Sequence, residues 1–342
     1  MHASTDLRVG LLGYGIAGAV FHAPLIAATP GLRLSAVVTA NPERQAQVAA
    51  DHPGTLVLDH ADQLWSEELD LVVVATPNRT HVPLATAALD AGFPVVVDKP
   101  FAPTAAEARK LAARAAELGL PLAVFHNRRW DNDFLTVRQL IDAGELGAVH
   151  RFESRFERWR PTPKAGWREL GDPAEAGGAL YDLGSHLIDQ ALQLFGPVRS
   201  VYAELDRRRA GVQVDDDSFV ALTHKSGVRS HLWMGAVTPQ LGPRMRVLGD
   251  KAGFTKYGLD GQEDALRAGN RPGGSDWGVE PAERSGRLGV DGDLRTVTSV
   301  PGAYQDFYAQ MRDAVRGEGH VPVTPEEAIA VLEVIEQARS VA

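Results

Sequence analysis

The 342-residue chain contains no cysteine, which excludes a disulfide framework, a thiolate zinc centre and a cysteine nucleophile together. Positive charge is also scarce. Lys and Arg number 35 against 44 Asp and Glu, a formal net charge of −9. The arginines fall in short clusters, so no continuous cationic face for nucleic acid is expected. No apolar run reaches the roughly 20 residues that span a bilayer. Met1 to Asp6 is short and polar, and the apolar run from Leu7 is broken by glycines rather than forming a signal-peptide core. The expectation is a cytoplasmic protein with no membrane or nucleic-acid partner, in which the sequon Asn78-Arg79-Thr80 is coincidental.

The length suits two domains that each bury a core. Strand-like and helix-like segments alternate up to residue 125, as in a parallel sheet with crossover helices. Leu7 to Leu12, Leu32 to Val38, Leu69 to Ala75, Phe93 to Val97 and Pro121 to Phe125 read as strands, with a shorter one at Leu56 to Leu58. Thr104-Ala105-Ala106-Glu107 and Thr324-Pro325-Glu326-Glu327 are capping boxes opening helices. Beyond residue 125 consecutive strands follow at Arg151 to Phe156, Val198 to Leu205, Phe219 to His224, Val228 to Met234 and Arg244 to Leu248, and Gly258 to Gly292 reads as a long loop. The fold class is α/β. Residues 1–125 are expected to form the parallel-sheet domain, and 126–342 an α+β domain with a mainly antiparallel sheet.

The first strand runs into Gly13-Tyr14-Gly15-Ile16-Ala17-Gly18, and this strand-turn-helix context turns a weak glycine pattern into a dinucleotide site. Gly13 permits the turn, Gly15 lets the backbone approach a pyrophosphate, and Gly18 allows close packing, with the anion at the helix amino terminus. An NAD-specific site carries Asp or Glu after the second strand; here Thr39, Ala40 and Asn41 stand there, with Arg44 one turn on. NADP is therefore favoured, with NAD possible. Ala75, Thr76, Pro77 and Asn78 end another central strand on the nicotinamide side. His81 is either a further cofactor contact or simply a first-turn helix residue.

Asp98-Lys99-Pro100 follows the strand Phe93 to Val97, so the Lys99 ammonium lies where ligands bind in open α/β sheets. In Glu175 to His186, a regular helix stacks Asp182 and His186 at i and i+4, with Asp189 three residues on. Gly184 between them suggests close approach by a bound ring. Together these residues form a mechanism for oxidising a secondary alcohol. His186 accepts the hydroxyl proton, Lys99 stabilises charge on the reacting oxygen, and Asp182 orients the imidazole or the substrate. His126, Asn127, Trp167 and Arg168, with Arg128, Arg129, Trp130, Trp159 and Arg160 nearby, mix aromatics and multidentate donors suited to a polyhydroxylated ring, or else pack internally.

The glycine turn, Ala75-Thr76-Pro77-Asn78, Asp98-Lys99-Pro100 and the Asp182 to His186 unit, in that order, resemble the Gfo/Idh/MocA oxidoreductase family over nearly the whole chain. The resemblance implies a Rossmann dinucleotide-binding domain at 1–125, an α+β domain with an open, mainly antiparallel sheet at 126–342, and Lys99, Asp182 and His186 in catalytic positions. It places Gly13 to Gly18, Asp98, Lys99, Pro100, Asn127, Trp167 and Arg168 at the cofactor, and His126, Asn127, Trp167 and Tyr181 at the substrate. Asp98 stands where the family usually has Glu. Phe21-His22-Ala23-Pro24-Leu25, Tyr181 to His186, His126 to Leu135 and Lys256 to Gly269 further resemble the NADP-dependent scyllo-inositol 2-dehydrogenase group of that family, where Ala40 replaces a frequent arginine.

The resulting expectation is a cyclic-polyol dehydrogenase. A dehydrogenase of open or pyranose sugars, an enzyme that retains its dinucleotide for hydrolysis or elimination, and a non-catalytic NADP-binding regulator are the alternatives. The family also implies sheet-to-sheet packing between subunits, hence a homo-oligomer, dimer or tetramer. Lys256 to Arg267 would then be a charged loop either reaching a neighbour's substrate site or lying in solvent.

Overall fold

A computed structural model describes residues 6–163, 169 and 171–342. The chain divides into two compact units: 1–127 with 262–277 and 303–329, and 128–261 with 278–302 and 330–342. A single cut after residue 125 is therefore too simple, because the chain returns twice to the first unit after leaving it.

In the first unit six strands form one sheet: β1 (Leu7–Leu12), β2 (Leu32–Val38), β3 (Leu56–Leu58), β4 (Leu71–Val74), β5 (Val95–Asp98) and β6 (Leu122–Phe125). Their order is β3-β2-β1-β4-β5-β6, and every pair is parallel. That is the Rossmann order, with the reversal between β1 and β4. β4 and β6 are buried at every residue, as expected of strands covered on both faces. The predicted capping box at Thr324 forms in both directions, the Thr324 N–H donating to Glu327 Oε2 at 2.9 Å, and at Thr104 the side chain caps the first turn. The Glu107 N–H donates to Thr104 Oγ1 at 3.1 Å, and the Glu327 N–H to Thr324 Oγ1 at 3.2 Å. Gly119, at φ +66°, closes the helix Ala105–Leu118 in the left-handed conformation.

Among its described residues the second unit carries eight strands: β7 (Val149–Glu157), β8 (Val198–Asp206), β9 (Asp217–His224), β10 (Arg229–Gly235), β11 (Met245–Gly249), β12 (Gly253–Lys256), β13 (Gly286–Val290) and β14 (Asp293–Val297). They are ordered β14-β13-β12-β11-β7-β10-β9-β8. Only β7 and β10 pair in parallel, so the sheet is mainly antiparallel. β9 alternates between buried and half-buried residues, the pattern of a sheet with one packed face.

The loop expected over Gly258 to Gly292 is in fact structured. It contains the helix Gln262–Arg267 and β13, the latter hydrogen-bonded to β12 and β14. Nor is Lys256 to Arg267 a solvated arm, since Lys256, Asp260, Gln262 and Leu266 are all buried. Lys256 Nζ lies 2.7 Å from both carboxylate oxygens of Glu280. Among the described residues no helix is long and apolar enough to cross a membrane.

Candidate active site

In the first unit the candidate residues collect at the carboxyl ends of β1, β2, β4, β5 and β6, where an open α/β sheet binds its ligand. Gly13 has φ +95°. A Cβ there would meet the Ala75 carbonyl oxygen at 2.7 Å, and one on Gly18 would lie 2.1 Å from the Gly13 oxygen. These two glycines are demanded by packing. At Gly15 a Cβ would meet nothing within 4 Å, so the middle of the turn is open to an incoming group. The residues present therefore fit a dinucleotide pyrophosphate. Ile16 is exposed, and Ala17 begins a helical turn of wide, π-type bonding that runs to His22.

The Tyr14 side chain is in the core, so this residue of the turn has only its backbone to offer a cofactor. Its ring stands edge-on to His52 at 6.3 Å and its hydroxyl lies 3.4 Å from Asp51, with burial foremost in pushing it up to about 12. At the end of β2 Thr39 is buried, while the Asn41 side chain accepts the Arg44 N–H at 3.0 Å and caps the helix Pro42–Asp51. Arg44 is exposed in the first turn, and no carboxylate occupies positions 39 to 41.

Beyond β4, Ala75-Thr76-Pro77 leads into a tight turn at Asn78–Thr80, and Asn78 is buried. His81 is also buried, so it is not an outward contact. Its Nδ1 lies 2.9 Å from the Pro100 carbonyl and its Nε2 2.9 Å from that of Thr76, which ties the two turns together. Burial lowers its pKa against the opposing charge of Asp98. Asp98 accepts the Lys99 N–H at 2.8 Å. Burial would raise its pKa, but the His22 imidazole, His81 and Lys99 hold the carboxyl below the usual carboxylate range. Lys99 itself is half-buried, and His126 and Asn127 are buried at the end of β6.

In the second unit Asp182 lies in a second π-type turn, Leu180–Gly184, and His186 in the helix Ser185–Phe195 that continues it. The wide turn departs from the regular helix expected through Asp182. Gly184 is explained by packing, since a Cβ would meet Met234 Sδ at 3.0 Å and Leu180 Cδ1 at 3.1 Å. No bound ring is needed to account for it. Asp182 is half-buried, and His186 is buried with its ring centre 6.4 Å from that of Phe156. Tyr181 was expected at the substrate but is buried beneath the Arg339 guanidinium, 5.6 Å from its ring centre, and burial raises its pKa.

The basic and aromatic stretch after Asn127 is a buried ion network. Arg129 donates to both carboxylate oxygens of Asp189, at 2.9 and 2.6 Å. Arg244 lies 2.8 Å from Asp133, donates to Ser154 at 2.6 Å and to Gln190 at 3.1 Å, while Gln190 donates to the Arg128 carbonyl at 2.7 Å. Burial, with the charges of Asp133 and Asp260, pushes Asp131 up to about 8 against Arg128 and Arg244. Asp189 therefore anchors Arg129. Trp159 is exposed, and the candidate contacts Trp167 and Arg168 lie outside the described residues. Sequence reasoning quoted His22 without giving it a role and missed Tyr308. Their signal is a histidine inside an apolar helix just after the glycine turn.

A parallel sheet in this order with a glycine turn at its reversal, followed by a mainly antiparallel sheet unit, defines an NAD(P)-dependent oxidoreductase. Residues 7–126 match the model of the oxidoreductase family with an NAD-binding Rossmann fold, and residues 134–255 that of the GFO/IDH/MocA C-terminal domain. The chain belongs to the Gfo/Idh/MocA family of NAD(P)-dependent dehydrogenases. It is 46% identical over 339 residues to the uncharacterized oxidoreductase YdgJ of Escherichia coli, covering 97% of this chain and 95% of that one. It is also 39% identical over 337 residues to scyllo-inositol 2-dehydrogenase (NADP(+)) IolW of Bacillus subtilis, covering 97% and 92%. The solved structure of the Bacillus subtilis oxidoreductase yvaA superposes with a TM-score of 0.93 at 37% identity, over 100% of this chain and 97% of that one.

Proposed function

We propose that this protein is an NADP-dependent dehydrogenase that interconverts a secondary alcohol and a ketone on a cyclic polyol of the inositol type. The observation that carries this reading is the complete set Lys99, Asp182 and His186 in a chain that is similar throughout its length to an enzyme named as a scyllo-inositol dehydrogenase. When bound, NADP supplies the hydride acceptor or donor. His186 takes the hydroxyl proton in the oxidising direction and returns it to the carbonyl oxygen in the other. Lys99 hydrogen-bonds the reacting oxygen and stabilises its developing negative charge, and Asp182 orients the imidazole or the substrate hydroxyl. A complete proton-transfer set argues against a non-catalytic regulator, because binding alone has no use for one.

Incubation with NADP and a panel of inositols and aldoses, followed at the absorbance of the reduced cofactor, tests the reading. Turnover of inositols is expected; turnover of aldoses alone assigns the protein to the sugar dehydrogenases instead. Lys99→Ala and His186→Ala should each lower kcat by about 10³-fold with NADP affinity nearly unchanged. NADP preference is supported by the absence of a carboxylate at 39 to 41 and by exposed Arg44. Thr39→Asp should reverse it by repelling the 2′-phosphate.

We also propose a cytoplasmic homo-oligomer. The supporting feature is the half-exposed face of the second sheet. Tyr202 is 56% exposed there, Phe219 and Trp233 pack at 5.0 Å, and the Arg155 guanidinium lies 3.9 Å from the Trp233 ring centre. A self-complementary contact between two such faces would cover these aromatics.

A further inference from the structure

The π-type turn Ala17–His22 delivers His22 into the core of the first unit, with no exposed surface. Its Nδ1 lies 2.5 Å from the Tyr308 hydroxyl and its Nε2 3.7 Å from Asp98 Oδ1, while its ring packs 4.3 Å from that of Phe125. Tyr308 is likewise fully buried, and burial together with the Asp98 charge raises its pKa, so it keeps its proton. The Tyr308 O–H donates to Nδ1, which leaves the ring N–H on Nε2, where it faces the Asp98 carboxylate at 3.7 Å as an electrostatic contact rather than a hydrogen bond. The same Oδ1 of Asp98 accepts the Lys99 N–H. A polar line thus runs from Tyr308 through His22 and Asp98 to the Lys99 peptide, walled by Phe125 and Phe307. A buried polar line costs desolvation that an apolar filling of the same volume avoids, so its presence directly beneath Lys99 calls for a use beyond packing.

We propose that His22, backed by Tyr308, is a positioning residue for Lys99: it orients the Asp98 carboxylate, which in turn fixes the peptide that carries the lysine. The inference rests on the reading of Lys99 as the group at the reacting oxygen. It also accounts for the wide turn, whose added residue brings His22 to the carboxylate at the end of β5.

Two variants separate positioning from packing. His22→Asn keeps an amide near Nδ1, facing Tyr308, and loses the contact with Asp98, whereas His22→Gln restores a donor at the place of Nε2. His22→Asn should lower kcat by about tenfold or more, with substrate KM and NADP affinity within about threefold of the unaltered protein. The Lys99 amide should then exchange with deuterium about tenfold faster, measured by residue-resolved NMR. His22→Gln should bring both readouts back to within about threefold of the unaltered protein. Equal losses in the two variants, or unchanged Lys99 exchange in His22→Asn, overturn the proposal. If the unaltered protein oxidises or reduces no polyol, the functional reading fails by itself, and the exchange comparison still decides whether His22 holds the Lys99 peptide through Asp98.

Discussion

The two sheets use their residues in opposite ways. In the first unit β4 is buried at all four residues, so its side chains have no route to solvent and chemistry leaves the sheet only from the strand ends. In the second unit β9 and β10 bury alternate residues, so a whole face carrying Tyr202, Phe219, His231 and Trp233 remains beside the packed one. A two-sided sheet concentrates function at its rim, and a one-sided sheet offers a surface. The same helical device, a π-type turn, precedes candidate residues in both units.

Val73→Asp tests the two-sided case most severely. Val73 has no exposed surface, and an unpaired carboxylate there should cost about 4 kcal/mol or more, enough to abolish the cooperative unfolding transition. A soluble variant that melts near the unaltered protein would contradict the fully covered sheet. Next comes the ion network of the second unit. Arg129→Ala leaves Asp189 buried without its bidentate partner and should cost about 3–5 kcal/mol, read as a lower urea midpoint. A shift small enough to suit a surface pair would show that water reaches Asp189.

A smaller effect is expected for pH. Asp131 is raised from an ordinary 3.8 to about 8, so between those values the native chain holds a proton that the unfolded chain lacks. Stability therefore falls as pH rises through that window. Asp131→Asn should flatten this contribution, so melting temperatures of the two proteins at pH 5 and pH 8 are the comparison; identical slopes would remove Asp131 as the titrating group. The mildest change is Trp233→Glu on the outer face. Circular dichroism should be unaltered while light scattering reports a smaller particle, and an unchanged mass would separate this face from assembly.

The first unit is legible in the sequence because β4 and β6 are unbroken apolar runs and its helices carry capping and glycine signals, as at Thr104 and Gly119. β13 and β14 escaped notice because they are short and largely exposed, with glycines and charges that resemble a loop. The role of Arg129 stayed open because a sequence does not distinguish an arginine that meets a carboxylate inside the protein from one that meets a hydroxyl outside it. Gly184 is a similar case: the Met234 sulfur that a Cβ would meet at 3.0 Å lies 50 residues away along the chain, so the tight fit there leaves no local trace. The π-type turns are likewise invisible to a search for 3.6-residue periodicity.

The double return of the chain to the first unit has a consequence for synthesis. All six strands of the parallel sheet have been translated by Phe125, yet Phe307 and Tyr308, which pack against that residue and against His22, arrive nearly 200 residues later. Domains that emerge from the ribosome fold as units once their last segment is free. Here the nucleotide-binding core spends most of translation with its Lys99 end open, and it closes only when the chain is almost finished, so an incomplete product carries the sheet but not the buried line that supports its lysine.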